Sequence, residues 1–231
     1  MRRGGNVGGQ ACADGDRRAN MHGVASGRSR LGLHVDYFAS LNSPWTHLGA
    51  ARLQAITAQH GATLRIHPVD FTIIFPASGG VPVAKRSPQR QAYRMQELER
   101  WSTHLGIPIH PRPRCFPADE RLAAQCVIAA RETLGDAPAI ALAHRVLRAL
   151  WEEERDPGDR ATLAALTSDI GLDPEALLTL GGEARWAERR ASDSAAALER
   201  GVFGAPSYVV GREVFWGQDR LDFVERRLAQ G

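Results

Sequence analysis

The sequence predicts an α/β fold in which a strand–helix–strand unit and a strand–strand–helix unit lie on either side of a long helical segment. Apolar and polar residues alternate at positions 33–38 and 63–71, as in strands that bury one face. Large apolar residues then recur at helical spacing from position 87 to about position 200. Two short apolar runs, 207–210 and 213–216, are separated by Gly211-Arg212, which predicts a tight hairpin.

The first helix is predicted to begin at Pro44. Ser43 is a residue type that caps helices, and proline is favoured at the first helical position. Gly61 ends this helix before the second strand. The apolar stripe of the helix contains Trp45, Leu48, Leu53 and Ile56. We expect the strand–helix–strand unit to be right-handed, with parallel strands.

The remaining elements complete the predicted fold. Proline and glycine breaks divide the helical segment at Gly106-Ile107-Pro108, Gly135, Pro157-Gly158, Gly171 and Gly181-Gly182. A last helix, with Leu221, Val224 and Leu228 on one face, follows the hairpin. This order is that of a thioredoxin-like sheet carrying a large all-helical insertion. We therefore expect a thioredoxin-like domain over residues 31–76 and 201–231 and an inserted helical domain over residues 77–200.

The composition excludes two classes of function. No apolar run approaches the roughly 20 residues that cross a bilayer, so no membrane span is predicted. A net charge of +3 is too small to indicate a nucleic-acid-binding surface. Residues 1–30 are rich in glycine, arginine, alanine and aspartate, and we expect them to form a disordered tail. This tail has no apolar core segment of the kind found in secretory signals.

The three cysteines indicate neither a metal site nor a dithiol centre. Cys12, Cys115 and Cys126 form no Cys-x-x-Cys pair. A disulfide framework is not expected either, which suits a reducing cytoplasm. Cys126 lies in a predicted helix on the same face as Leu122, and we interpret it as an inert core residue.

The first candidate site residue is Ser43, at the junction between the first strand and its helix. In a thioredoxin-like fold this position carries the reactive cysteine, because a helix N-terminus presents unpaired N–H groups and a partial positive charge. A serine is too weakly acidic to become the nucleophile, but its hydroxyl can donate a hydrogen bond to an external sulfur anion. A thiol cofactor is therefore implied, with glutathione the obvious candidate. The alternative is that Ser43 only caps the helix.

The second candidate is the loop before the hairpin, at Ala205 and Pro206. Thioredoxin-like proteins place a cis-proline here, so we predict a cis bond between these residues. Such a loop turns the backbone of Ala205 towards the site, where it could pair with a bound peptide as an added strand does. The alternative is a plain edge position for a proline that starts a strand.

Five segments in this order resemble the 2-hydroxychromene-2-carboxylate isomerases and the related kappa-class glutathione transferases. The resemblance covers about residues 33 to 229. The five segments are Ser43-Pro44, the stretch 85–93 with Leu98-Glu99-Arg100-Trp101, Gly106-Ile107-Pro108 with Phe116-Pro117, the run 201–206, and the run 215–221.

The resemblance implies a glutathione-dependent isomerase of aromatic catabolism that acts on an aromatic carboxylate and forms a homodimer. Ser43 would hydrogen-bond the glutathione sulfur and keep it as a thiolate. Ala205 would bind the cysteinyl backbone. Gln218 and Asp219 would hold the γ-glutamyl end, and Lys85 is a candidate for a glutathione or substrate carboxylate.

At two places the chain departs from the usual pattern of this family. Thr46-His47 stands where an aromatic residue commonly follows the Ser-Pro pair, and residues 39–42 are more polar than usual. Both changes lie near the expected substrate pocket, which we assign to Trp45, His47 and Trp216. His47 could instead be an exposed helix histidine, and Trp216 could instead pack in the core.

Three other functions compete with the isomerase. A kappa-like transferase would conjugate glutathione to an electrophile at the same site. A thiol-disulfide oxidoreductase of the DsbA kind is disfavoured, because Thr46 stands where the second cysteine of its motif would be. A non-catalytic glutathione or peptide binder is the third.

Overall fold

The computed structural model describes residue 1 and residues 33–231. The predicted disordered tail beyond residue 1, including Cys12, lies outside the described residues. The elements follow one another as β1 (His34–Ala39), α1 (Pro44–Gln59), β2 (Thr63–Pro68), α2 (Phe71–Ser78), α3 (Pro88–Leu105), α4 (Arg121–Thr133), α5 (Asp136–Trp151), α6 (Arg160–Asp169), α7 (Pro174–Gly181), α8 (Ala184–Glu199), β3 (Ser207–Val210), β4 (Glu213–Trp216) and α9 (Leu221–Ala229). No helix among them is both long and apolar enough to cross a membrane.

The four strands form one mixed sheet in the order β2-β1-β3-β4. β1 runs parallel to β2 and antiparallel to β3, and β3 pairs with β4 as a hairpin. In this register Tyr37 faces Tyr208 and Ser207 faces Trp216. The thioredoxin-like sheet and its closing hairpin are therefore confirmed.

Helix α1 begins where the sequence predicts. Ser43 caps it, with its Oγ atom accepting a hydrogen bond from the backbone N–H of Thr46, and Pro44 occupies the first turn. Leu48, Leu53 and Ile56 are buried, which confirms most of the predicted stripe. Trp45 is only half-buried, so it lies outside the core.

The two faces of the sheet pack against different helices. Tyr37 and Tyr208 stack with ring centroids 5.5 Å apart on the face that α1 covers, where the Tyr37 hydroxyl reaches the Thr46 carbonyl oxygen. On the other face, Phe38 and Val209 join a smaller cluster with Ile74 of α2 and Ala197 of α8. The tyrosine pair therefore supports the first turn of α1, where Thr46 lies.

The helical segment is confirmed, with one correction at its start. The predicted strand 63–71 ends early at Pro68, and α2 begins at Phe71. Asp70 caps α2 through a hydrogen bond from the backbone N–H of Thr72 to its Oδ1 atom, 2.8 Å long. The apolar residues of the strand continue directly into α2, so the hydrophobic pattern did not separate the two elements. This helix crosses the expected domain boundary at residue 76.

The division into two domains stays a prediction, but the core is continuous across it. One cluster of buried side chains contains Tyr37 and Ile66 of the sheet together with Val127 of α4 and Leu147 of α5. Cys126 belongs to this cluster and is fully buried, which confirms it as a core residue. Burial raises the pKa of its thiol to about 12.

A buried set of charged side chains also joins the sheet to α4 and α8. His67 Nε2 lies 2.9 Å from Asp36 Oδ1, and Arg131 donates to the Ile66 carbonyl oxygen at 2.8 Å and to Asp193 Oδ2 at 2.8 Å. Burial raises the pKa of Asp36, but hydrogen bonds from His67, Arg200 and His34 outweigh it and hold that pKa well below its usual range. The carboxylate is therefore ionised inside the fold.

Candidate active site

The N-terminus of α1 presents the Ser43 hydroxyl at the edge of the sheet. Its oxygen accepts the Thr46 N–H at 3.2 Å, and its own hydrogen is directed to the carbonyl oxygen of Ala205 at 3.4 Å. Bonds of these lengths are weak, and the hydroxyl hydrogen is free to rotate to a better acceptor. Anions are stabilised at a helix N-terminus by its partial positive charge.

The loop before β3 brings the second candidate to the first. The Ala205–Pro206 peptide bond is cis, as predicted. Ala205 is half-buried, whereas Pro206 is buried behind it, with its carbonyl oxygen accepting the N–H of Gly217 at 2.9 Å. The contact between Ser43 and Ala205 thus joins the strand–helix–strand unit to the strand–strand–helix unit.

A cleft of about 270 Å³ opens beside this contact. It is lined by Trp45, Glu97, Trp101, Ala205, Trp216, Gly217, Gln218, Asp219 and Arg220. Five of the predicted site residues therefore share one cleft with an acidic side chain, a third tryptophan and an arginine. A larger depression of about 500 Å³ lies along α3 alone and is open surface, since no second element faces it.

Trp216 forms one wall of the cleft and is not a core residue. Its side chain is 52% exposed, and it packs edge-on against Phe203 with ring centroids 4.8 Å apart. The indole lies directly on Gly204, where even a methyl group would overlap it. Gly204 therefore allows the Trp216 indole to occupy this position.

Gln218 lies at the base of the cleft, almost fully buried, with its Oε1 atom lacking a hydrogen-bond partner among the described residues. Gly49 of α1 permits this close packing, because a Cβ atom there would lie 2.9 Å from Gln218 Cβ and 2.8 Å from the Tyr208 hydroxyl. Asp219 is exposed and lies 3.5 Å from Arg220. A buried acceptor without a partner among the described residues therefore lies beside an exposed carboxylate.

Lys85 and His47 are not brought to the cleft. Lys85 is exposed in a short 3₁₀ turn, Val83–Lys85, and does not line the cleft. His47 is neither exposed nor in the cleft: it is buried against α5, with Nε2 3.2 Å from Glu152 Oε1 but not aligned for a hydrogen bond. Burial, and then the charge of Arg148, lower the pKa of His47 to about 4, so it is neutral at pH 7.

Asn42 has a positioning role that the sequence did not reveal. Its side-chain nitrogen donates to the Ala118 carbonyl oxygen and its side-chain oxygen accepts the Ala118 N–H, both at 2.9 Å. The backbone N–H of Asn42 also donates to Glu120 at 2.9 Å, and Glu120 is paired with Arg190. Local spacing carries no signal for these contacts, since the partners lie far along the chain.

Glu97 and Trp101 were missed as cleft residues. They lie four positions apart on α3, so they occupy one helix face, but the sequence does not show that this face borders the cleft. Within the part of the chain that the structure describes, no group of three or more His, Cys, Asp or Glu side chains could hold a metal ion.

Comparison with known proteins connects this geometry to a family. The family model of the DSBA-like thioredoxin domain matches residues 34–229. A 2-hydroxychromene-2-carboxylate isomerase from Pseudomonas putida is 30% identical over 85% of this chain and 94% of its own length. One from Sphingobium xenophagum is 29% identical over 84% of this chain and 97% of its own length.

Solved structures agree. A 2-hydroxychromene-2-carboxylate isomerase superposes with a TM-score of 0.74 at 29% identity, covering 85% of this chain and 95% of that one. The cytosolic disulfide reductase DsbM from Pseudomonas aeruginosa, solved with GSH, gives a TM-score of 0.60 at 22% identity over 85% of this chain and all of that one, which is a likeness of fold alone. The chain therefore belongs to the DSBA-like thioredoxin-domain family, within which it is related along nearly its whole folded length to the 2-hydroxychromene-2-carboxylate isomerases.

Proposed function

We propose that this protein is a glutathione-dependent isomerase of the 2-hydroxychromene-2-carboxylate type. The observation that carries the proposal is the contact of 3.4 Å between the Ser43 hydroxyl and the Ala205 carbonyl oxygen at the edge of the cleft. A hydroxyl donor, a helix N-terminus and a backbone segment that can pair with a peptide meet at this one point. The names of the relatives support the same reaction.

The residues present fit glutathione. When bound, glutathione supplies a thiol, and as a thiolate this is a strong nucleophile at neutral pH. Ser43 holds the proton that can turn from Ala205 to a sulfur anion, and the amide groups at the start of α1 add a positive field. Ala205 lines the cleft and presents its backbone to the cysteinyl part.

The other end of the cleft suits the γ-glutamyl group. Gln218 Oε1 is an acceptor without a partner among the described residues, and the Asp219 carboxylate lies next to it in sequence. An ammonium group would satisfy the first and pair with the second. Arg220, on the same turn, suits the neighbouring carboxylate.

The walls of the cleft suit a flat aromatic substrate. Trp45, Trp101 and Trp216 border it, and aromatic rings stack favourably on such side chains. Neither of the two cysteines in the described part of the chain, Cys115 and Cys126, lies at the N-terminus of α1, so the dithiol chemistry of a DsbA-type oxidoreductase finds no support there.

The direct test is to incubate the purified protein with glutathione and 2-hydroxychromene-2-carboxylate. We expect conversion to the ring-opened isomer with the glutathione pool unchanged, and loss of the reaction when glutathione is omitted. The Ser43→Ala variant should bind glutathione but convert the substrate slowly. Consumption of glutathione in step with substrate would instead identify a conjugating transferase, and equal rates with and without glutathione would refute the proposed cofactor.

A second readout does not depend on turnover. Glutathione should quench the fluorescence of the tryptophans that line the cleft, and S-methylglutathione should do the same. Replacement of Gln218 by Ala should weaken both ligands, because it removes the buried acceptor. Binding that is unaffected by this change would show that the γ-glutamyl group lies elsewhere.

A further inference from the structure

Arg94 of α3 is a buried arginine with no counter-ion among the residues that the structure describes. Its side chain is only 9% exposed, and its Nη2 atom has no hydrogen-bond partner. Burying an ionised guanidinium without a partner is costly, because water no longer solvates its charge. A group in this state is free to bind an anion supplied by a ligand.

Two aromatic rings pack against this guanidinium. Its central carbon lies 5.3 Å from the ring centroid of Phe116 and 5.8 Å from that of Trp151. Trp151 is fully buried, and its indole N–H also lacks a partner in the described part of the chain. Arg94, Phe116 and Trp151 therefore form one cluster, in which the guanidinium keeps an N–H group that no other described residue accepts.

The surroundings of the cluster favour negative charge. Burial, and then the nearby charge of Arg86, lower the pKa of Arg94 to about 10, so the guanidinium is still charged at pH 7. The Nε atom of Arg86 donates a hydrogen bond to the Val81 carbonyl oxygen, which does not neutralise the charge of Arg86. The nearest acidic residue on α3, Glu97, is paired with Arg100 instead.

Arg94 lies one turn of α3 before Glu97, the first residue of that helix that lines the cleft. Arg94, Glu97 and Trp101 occupy positions i, i+3 and i+7 of α3, so they share one face, and the last two line the cleft. At about 1.5 Å per residue, Arg94 is about 4.5 Å along the helix axis from Glu97.

Phe116, on which Arg94 packs, connects the cluster to Ser43. It lies two residues before Ala118, which Asn42 holds through paired hydrogen bonds. Asn42 directly precedes Ser43. The cluster is therefore tied to both the wall of the cleft and the residue that caps α1.

From this arrangement we infer that the Arg94 guanidinium is the recognition site for the carboxylate of an aromatic substrate. The inference rests on the proposed function and deepens it. A guanidinium binds a carboxylate through two parallel hydrogen bonds, and the tryptophans of the neighbouring cleft can stack on the aromatic part of the same molecule. The carboxylate could also be that of glutathione, and the experiment distinguishes the two sources.

The test measures binding of 2-hydroxybenzoate by calorimetry, together with glutathione binding, in the wild type and in three variants. Arg94→Gln should weaken 2-hydroxybenzoate by about tenfold to 100-fold, as expected for loss of a charged hydrogen bond, and leave the glutathione dissociation constant within about twofold. Arg94→Lys should restore part of the affinity. Arg90→Gln is the matched control, since Arg90 is an exposed arginine on the same helix and its loss changes net charge equally.

A measurement on the wild type covers the case in which the variants fail to fold. The protein should bind 2-hydroxybenzoate at least about tenfold more tightly than 2-hydroxybenzamide, which has the same shape without the charge. Equal affinity for the two would overturn the inference. So would a glutathione affinity that falls in Arg94→Gln while 2-hydroxybenzoate binding persists, because Arg94 would then hold the glutathione carboxylate. Selective, Arg94-dependent binding of the benzoate without any isomerisation would reject the proposed reaction but uphold the carboxylate site.

Discussion

Asn42 and Ala118 are joined by two hydrogen bonds of 2.9 Å that run in opposite directions between the side-chain amide of one and the backbone of the other. The pair fixes the residue before the helix cap to the loop that leads into α4. The position of the Ser43 hydroxyl therefore depends on a segment that is distant in sequence.

The first prediction concerns Asn42. Asn42→Ala removes both bonds to Ala118 and a third, longer one from the side-chain nitrogen to Glu120, and at about 1 kcal/mol for each bond it should lower the free energy of unfolding by about 2–3 kcal/mol. Asn42→Asp should also lower the free energy of unfolding, although aspartate is similar in size to asparagine. Its carboxylate would face that of Glu120, whose Oε2 atom lies 3.2 Å from the Asn42 side chain. Urea unfolding measures the stability, and kcat should fall in both variants. Retained kcat in a destabilised Asn42→Ala protein would separate Asn42 from the positioning of Ser43.

The second prediction concerns Ser43 and the thiol. Ser43→Ala should raise the thiol pKa of bound glutathione by about one to two units, because a hydrogen bond to a charged sulfur contributes about 1.5–3 kcal/mol. Ultraviolet titration of the thiolate measures this. Ser43→Thr keeps a hydroxyl and a helix cap, so its titration should resemble that of the wild type. An unshifted curve in Ser43→Ala would remove the hydroxyl from the mechanism.

The third prediction concerns Gly204. Gly204→Ala should displace the Trp216 indole and weaken aromatic ligands, since the added methyl group overlaps that ring. The matched control is Gly182→Ala, where a Cβ atom meets its nearest neighbours at an ordinary 3.4 Å. Tryptophan fluorescence and ligand affinity should change in the first variant only. Equal ligand affinity in the two variants would mean that Trp216 does not touch the ligand.

The fourth prediction concerns acid stability. Burial lowers the pKa of His47 and of His144 to about 4, whereas both titrate near 6.5 in the unfolded chain. The unfolded state therefore binds more protons between about pH 6.5 and pH 4, and the free energy of unfolding should fall as the pH drops through this window. The slope is at most about 1.4 kcal/mol per pH unit for each histidine.

Urea unfolding at several pH values, compared between the wild type and His47→Gln, measures this effect. The variant should show a shallower dependence between about pH 6.5 and pH 4. Asp36 has a lowered pKa, so its contribution is lost only below the pKa of about 4 that an unfolded aspartate has, and the two effects are separable. Identical slopes in the two proteins would show that His47 titrates normally in the fold.

Local signals predicted much of this fold. The cap at Ser43 and the hairpin at Gly211-Arg212 each depend on a few adjacent residues, whereas the cis bond before Pro206 was predicted from its place in a thioredoxin-like fold; the structure has all three. The contact between Ser43 and Ala205 follows from the topology, because a thioredoxin-like sheet places the first helix beside the loop before β3. The bounds of α2 were missed because Asp70, a capping residue, stood inside an unbroken apolar run.

Features that depend on distant residues were not predictable. His47 reads as exposed in a helix, yet the packing of α5 buries it. The sequence gives no sign that Arg94, on a polar helix, packs against Phe116 and Trp151, because both rings are distant along the chain. Lys85 matched a family segment, but the turn that carries it lies away from the cleft.

The hydrogen bonds and ion pairs that connect Asp36 and His67 with Arg131 and Asp193 restrict how the chain can be divided. Excising the helices to obtain a minimal sheet module would leave Asp36 and His67 without Arg131 and Asp193, and a truncated half should collapse without adopting a native state. Recombination with other members of the family should therefore exchange the strands and α4 with α8 as one block.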